Sequence, residues 1–176
     1  YFRAVVISGA CSSSTSAVVT VGFGNSTTWN GTAWSNGVPT STSTVLITGD
    51  YNITGNVVGC SMVVSNNAKV AIASGDTVTL YGPLTVNAGC TFTLHNNSSL
   101  LQNSTAGNTG NIVVKRDTPA LMRLDYVMWS SPVVGQTLLP FSPMTMTNRF
   151  YTYNPSTNLY VALTAPDATS FATGSG

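Results

Sequence analysis

Short apolar, β-branched runs recur through the middle of this chain, three residues long and roughly 7–8 residues apart. Val45-Leu46-Ile47, Met62-Val63-Val64, Val70-Ala71-Ile72, Val78-Thr79-Leu80, Leu84-Thr85-Val86 and Phe92-Thr93-Leu94 are the clearest. Gly, Asn or Asp stands between most of them, as in Gly49-Asp50, Asn66-Asn67, Gly75-Asp76 and Asn96-Asn97. Runs this short, bounded by turn residues, are strands, so the fold class is all-β. The spacing fits two architectures. A β-sandwich of hairpins shows turn signals every 8–12 residues or so. A parallel β-solenoid has about three short strands per turn of the coil, joined by tight corners. The run from Ser61 to Tyr81 superposes on Leu84 to Leu101, Met62 on Leu84, Val70 on Phe92 and Val78 on Leu100, with the second copy slightly compressed. This self-similarity favours the short parallel solenoid, with the β-sandwich as alternative. Asn pairs suit its corners, because Asn tolerates a left-handed backbone.

The flanks divide the chain into three zones. In residues 1–21, strands Tyr1–Ile7 and Ser16–Val21 around a Ser/Gly turn make a hairpin. A lone hairpin is marginal in water, so the rest of its sheet is expected upstream. Residues 22–110 open with Trp29-Asn30-Gly31-Thr32-Ala33-Trp34, read as an aromatic cap on the first sheet edge of the solenoid-like region. Residues 111–176 hold the strand Asn111–Arg116 and a hairpin over Arg149–Val161 that turns at Asn154-Pro155-Ser156-Thr157-Asn158. They form a C-terminal β cap or the start of a further β-domain. With no initiator Met and no signal peptide, the chain reads as a window on a longer polypeptide.

Composition narrows the function classes. Charged residues are 6% of the chain, against roughly 25% in an average soluble protein. A net charge of +1 gives no basic stripe, so nucleic acid is not an expected partner. No apolar stretch approaches the ~20 residues of a membrane span. Ser, Thr, Asn and Gly supply the polarity, which suits an exported, extracellular β-rich protein. Three cysteines, Cys11, Cys60 and Cys90, leave an odd thiol, and their positions do not resolve a pairing.

A catalytic constellation is not found. The acids are Asp50, Asp76, Asp117, Asp125 and Asp167, with no Glu. Asp50 and Asp76 follow Gly and read as turn residues rather than as a glycosidase pair. His95, the single histidine, has no Gly-x-Ser-x-Gly partner motif. Neither a metal site nor a cofactor is expected, and the chain is read as no enzyme. Trp29, Trp34, Trp129, Tyr151, Tyr153 and Tyr160 are candidates for stacking on sugar rings, or for filling caps and module junctions.

Two resemblances emerge from the motifs. Tyr1-Phe2-Arg3-Ala4-Val5-Val6 with Gly9-Ala10-Cys11 resembles the last two strands of an immunoglobulin-like module, which implies a partner for Cys11 earlier in that module. The set Trp29-Asn30-Gly31, Trp34-Ser35-Asn36-Gly37, Leu124-Asp125-Tyr126, Trp129-Ser130-Ser131-Pro132 and Arg149-Phe150-Tyr151 resembles a segment of large Bacteroidetes cell-surface, adhesin-like proteins exported by the type IX system. That resemblance implies a structural or adhesive segment, with a carbohydrate-binding region of a polysaccharide-degrading enzyme as alternative. The expected partners are neighbouring modules, further copies in a fibre, glycans or cell surfaces, and the export machinery. It also makes Asp76-Thr77-Val78 similar to an O-glycosylation signal, at Thr77.

Overall fold

The computed structural model describes residues 5–6, 14–17, 24–52, 54–171 and 173. Strand β1 (Val5–Val6) pairs antiparallel with β2 (Ser14–Thr15), Val5 opposite Thr15. The hairpin expected here therefore pairs earlier than the run Ser16–Val21. A shift of register moves every side chain of a strand, and the observed register places Val6 opposite Ser14. Ser16 and Ala17 lie past the strand, and residues 18–21 fall outside those described.

The middle of the chain is a parallel β-solenoid. Its first turn contributes β3 (Ser26–Trp29), and its second β4 (Thr44–Ile47) and β5 (Val57–Gly59). The third contributes β6 (Ser61–Val64), β7 (Lys69–Ile72) and β8 (Thr77–Leu80). The fourth contributes β9 (Leu84–Val86), β10 (Thr91–Leu94) and β11 (Ser99–Gln102), and β12 (Val113–Val114) begins a fifth. Three sheets result, ordered β3-β4-β6-β9, β7-β10-β12 and β5-β8-β11, and every pairing in them is parallel. A sandwich of hairpins is thereby replaced by the coil.

Register follows the self-similarity of the sequence. Met62 pairs with Leu84, Val70 with Phe92 and Val78 with Leu100, an offset of 22 residues each time. The expected compression of the second copy does not occur, because parallel strands in one coil must keep their inward residues stacked. Alternation then buries columns: Val45-Met62-Leu84 and Trp29-Ile47-Val64-Val86 in the first sheet, Val70-Phe92 in the second, Val57-Val78-Leu100 in the third. All but Leu100, which is partly buried, belong to one hydrophobic core. Gly59 occupies an inward position where a Cβ would stand 2.7 Å from Val45 Cγ2.

Corners are made by short polar side chains. Asn66, Asn67 and Asn97 adopt positive φ, as their placement at corners suggested. Others reach to a neighbouring turn. The Lys69 N–H donates to Asp50 Oδ1 (2.9 Å), the Thr77 N–H to Asn56 Oδ1 (2.9 Å) and the Gly55 N–H to Asp76 Oδ2 (2.8 Å). Asp50 and Asp76 are therefore turn residues committed to backbone amides.

Residues past the solenoid are sparser in regular structure. A four-residue helix, α1 (Leu138–Phe141), interrupts the otherwise β chain where none was expected. Ser131 bridges Thr173, and Thr137 bridges Ser170. The anticipated hairpin forms from β13 (Tyr151–Asn154) and β14 (Leu159–Ala162), antiparallel, with Asn158 at positive φ in its turn.

Candidate functional site

Aromatic residues gather in three places, and the placement separates packing from display. At the first end of the coil, the chain folds back after β3. Asn30 Oδ1 accepts from the Thr32 N–H, the Thr32 hydroxyl and the Ala33 N–H, each at 2.9 Å. That turn sets Trp34 antiparallel to Trp29. Trp29, Trp34 and Tyr51 then pack edge to face or tilted, with ring centroids 5.3–5.8 Å apart. Trp29 is only 5% exposed, and its Nε1–H donates to the Asp50 carbonyl at 2.9 Å. These two tryptophans thus close a sheet edge. Tyr51 is buried beside Asp76. Desolvation, and secondarily the Asp76 charge, raise its pKa above the usual tyrosine value.

A second cluster lies in the C-terminal zone. Trp129 meets Phe141 edge-on at 5.3 Å, and Phe141 meets Phe171 at 4.9 Å. Trp129 is half-buried within it.

The third group is displayed. Tyr153 lies opposite Tyr160, and Tyr151 opposite Ala162, so Tyr151, Tyr153 and Tyr160 share one face of the β13–β14 hairpin. Tyr126 packs edge-on to Tyr151 at 5.7 Å, and Tyr153 and Tyr160 are 5.5 Å apart and tilted by 58°. All four are exposed. The Tyr153 hydroxyl donates to Asn158 Oδ1 at 2.7 Å. Tyr126 was absent from the sequence candidates. It is 25 residues before Tyr151, and no local periodicity links the two.

Other candidates fall on corners. Thr77 starts β8 on its outward side, half-buried, with its N–H held by Asn56. His95, Asn96, Lys115 and Asp117 line a shallow groove with Ala73 and Ser74. Cys60 is exposed, Cys90 packs on the core and neither forms a disulfide, while Cys11 lies outside the described residues. Among the described residues, no three His, Cys, Asp or Glu side chains are grouped to hold a metal, and no helix is long and apolar enough to cross a membrane.

The outward strand positions of the solenoid are uncharged apart from Lys69. Thr28, Leu46, Val63 and Thr85 form one outward column, and Val58, Thr79 and Leu101 another. Lys69 is the one charged residue within the described strands.

No curated protein and no solved structure matches this chain. A family model described as a domain of unknown function, DUF8693, matches residues 22–176, which is most of the chain. The protein therefore belongs to the DUF8693 family.

Proposed function

We propose that this chain is a structural and adhesive segment of a large secreted cell-surface or filament protein. The observation that carries the reading is the parallel coil whose outward strand positions are uncharged apart from Lys69. Backbone ladders and a continuous Val/Leu/Ile interior give a stiff rod, and faces without like charge let neighbouring modules, copies or surfaces approach closely. Repeated weak contacts along such a rod add up by avidity. The β1–β2 pair would be the end of an immunoglobulin-like module joined ahead of the coil, and the C-terminal hairpin zone a cap or the start of a further β-domain. Export by the type IX route belongs to the same proposal.

The test uses an antibody raised against the chain, with intact producing cells and negative-stain imaging of the native material. Labelling of the cell surface, on rods or fibres far heavier than 18.3 kDa, supports the reading. Label confined to the cell interior, or discrete particles near that mass, overturns it.

A second reading, a carbohydrate-binding region, has the exposed tyrosines Tyr126, Tyr151, Tyr153 and Tyr160 in its favour. Their tilted and edge-on contacts weigh against a flat stacking platform. Glycan-array binding that disappears in Tyr153→Ala and Tyr160→Ala, with the solenoid still folded, would promote this reading to first.

A further inference from the structure

The second sheet receives a strand from the fifth turn and the third sheet does not, and a side chain sits on the edge of the third. Its edge strand is β11. One turn earlier, the Asp76 carbonyl accepts the N–H of Ser99, which starts β11. Ser98 lies directly over Asp76, since Ser99 pairs with Thr77. The Ser98 carbonyl is therefore the acceptor that a fifth strand would use first. It is taken by Arg116, whose Nη2–H donates to it at 2.9 Å. Arg116 Nη1 donates to the carbonyls of His95 (3.2 Å) and Lys115 (2.7 Å) as well. Such charge-assisted bonds are the stronger kind, and a cationic side chain on an edge discourages another strand from adding.

The chain past Arg116 is fitted to the position that Arg116 blocks. Asp117 still follows the coil, its N–H donating to Asn96 Oδ1 at 3.2 Å, an offset of 21 residues. A like contact at the same corner two turns earlier, Thr77 N–H to Asn56 Oδ1, has the same offset and stands at the start of β8, which pairs with β5 in that register. Carried forward, it sets Ala120 to donate to Ser98 O, Leu121 opposite Leu100 and Met122 opposite Leu101. These groups lack apolar cover as they stand. Leu121 is 50% exposed, Met122 82%, Leu124 74% and Leu101 51%. A tight turn closes within the segment, the Met122 N–H donating to Asp125 Oδ2 (2.8 Å) and the Asp125 N–H to the Met122 carbonyl (3.1 Å).

We propose that residues 120–124 are a strap that docks in parallel on β11 as a fifth strand of the third sheet, and that Arg116 gates it by occupying the first ladder acceptor. The strap is preferred to a second copy as occupant because it is tethered only three residues beyond Asp117. Its effective concentration is on the order of millimolar, far above that of a free molecule in dilute solution. Docking would cover Leu100 and Leu101 and retire the edge of β11 from contact with other chains. The proposal does not rest on the functional reading above.

The experiment is hydrogen–deuterium exchange on the full chain, wild type against Arg116→Ala/Asp125→Ala, with the mass in solution followed by light scattering. Amides of residues 120–124 should exchange about tenfold more slowly in the variant, the factor expected from about one net hydrogen bond, at an unchanged monomer mass. Exchange in 120–124 as fast as in wild type, or faster, overturns the proposal. Protection that appears only in species growing with concentration also overturns it, and names a second copy as the occupant. Should the double variant lose the protection of β8 and β10, Arg116→Gln carries the same readout and the same two refuting outcomes.

Discussion

Phe92 offers the sharpest test of the stacked coil. Its side chain is 0% exposed and sits directly over Val70, with Ile112 of the next turn packed against the same core. Burying a phenylalanine removes roughly 200 Å² from water, about 5 kcal/mol at 25 cal/mol per Å² as an upper bound. Truncation to Ala in comparable cores costs about 3–5 kcal/mol, cavity included. Whole-domain stability is about 5–15 kcal/mol, so Phe92→Ala should remove a large share of it. For a chain of this size each kcal/mol shifts Tm by about 2–4 °C, which gives a fall of roughly 6–20 °C. Leu101→Ala is the control, since Leu101 points outward from the edge strand, and it should change stability by under about 1 kcal/mol. Urea and thermal melts followed by far-UV circular dichroism measure both. The coil makes a further demand: stability should couple between stacked turns and not across distant ones. Phe92→Ala and Val70→Ala should be non-additive by about 0.5 kcal/mol or more, whereas Phe92→Ala and Val45→Ala should add. A loss below about 1 kcal/mol for Phe92→Ala, or additivity with Val70→Ala, would refute the register on which the core is built.

Three further outcomes are expected. Gly110 has φ +86° and approaches the Val86 carbonyl so closely that a Cβ would collide with it; Gly110→Ala should cost about 1–3 kcal/mol, read from the same urea melts. Asn30→Ala removes the acceptor of three hydrogen bonds in the fold-back turn and should cost about 1–2 kcal/mol, with loss of the near-UV signal from the Trp29–Trp34 pair, while a preserved signal would count against the cap. Tyr51 has a raised pKa from burial and the Asp76 charge. Its contribution is complete below the unfolded value of 10.0 and is lost as pH rises from there through the folded pKa, because only the unfolded chain ionises readily in that window. The urea midpoint of wild type should therefore fall more steeply above pH 10 than that of Tyr51→Phe, and parallel curves would refute it.

The inward columns were legible because burial in a parallel coil imposes two periods at once. Alternation of two along each strand marks Val78 and Leu80 as inward, and the recurrence from Met62 to Leu84 marks which strands stack. Corner Asn residues were legible for a similar reason, since their backbone region is open to few side chains. The C-terminal zone resisted reading because its contacts are non-local and aromatic. Phe171 meets Phe141 across 30 residues, and Tyr126 meets Tyr151 across 25. Pairings of that kind leave no period. The start of β2 was placed two residues late because propensity drew the strand toward Val18-Val19, and Ser14 and Thr15, which pair with Val6 and Val5, carry no strand signal of their own. The sugar-stacking set mixed roles for the same physical reason: an aromatic residue signals large apolar area, and only the fold decides whether that area is spent inside, as at Trp29, or displayed, as at Tyr160.

Both ends of the coil are closed by main chain and side chains together, in different shares. At the start, main chain covers main chain: residues 33–37 return along β3, with the Ser35 N–H donating to the Thr28 carbonyl at 2.9 Å, and the aromatic trio seals the fold-back. At the far end, Thr109 pairs with β9 and β12 with β10, and side chains cover what these leave. Asn108 Oδ1 accepts the Leu84 N–H and the Gln102 amide, both at 2.8 Å, while Asn108 returns a bond to Gln102 Oε1 at 2.7 Å. Arg116 covers Ser98 and His95. A main-chain closure is bound up with the register of the whole turn and cannot open without unfolding it. A side-chain closure opens by rotation about χ angles on a nanosecond timescale when exposed, at a cost of about one net hydrogen bond per group. The edge of β11, covered by Arg116 and not by a strand, is thus the exchangeable part of the far end. The strap therefore belongs on β11, where Arg116 holds the first acceptor, and not on β9 or β10, which Thr109 and β12 already pair.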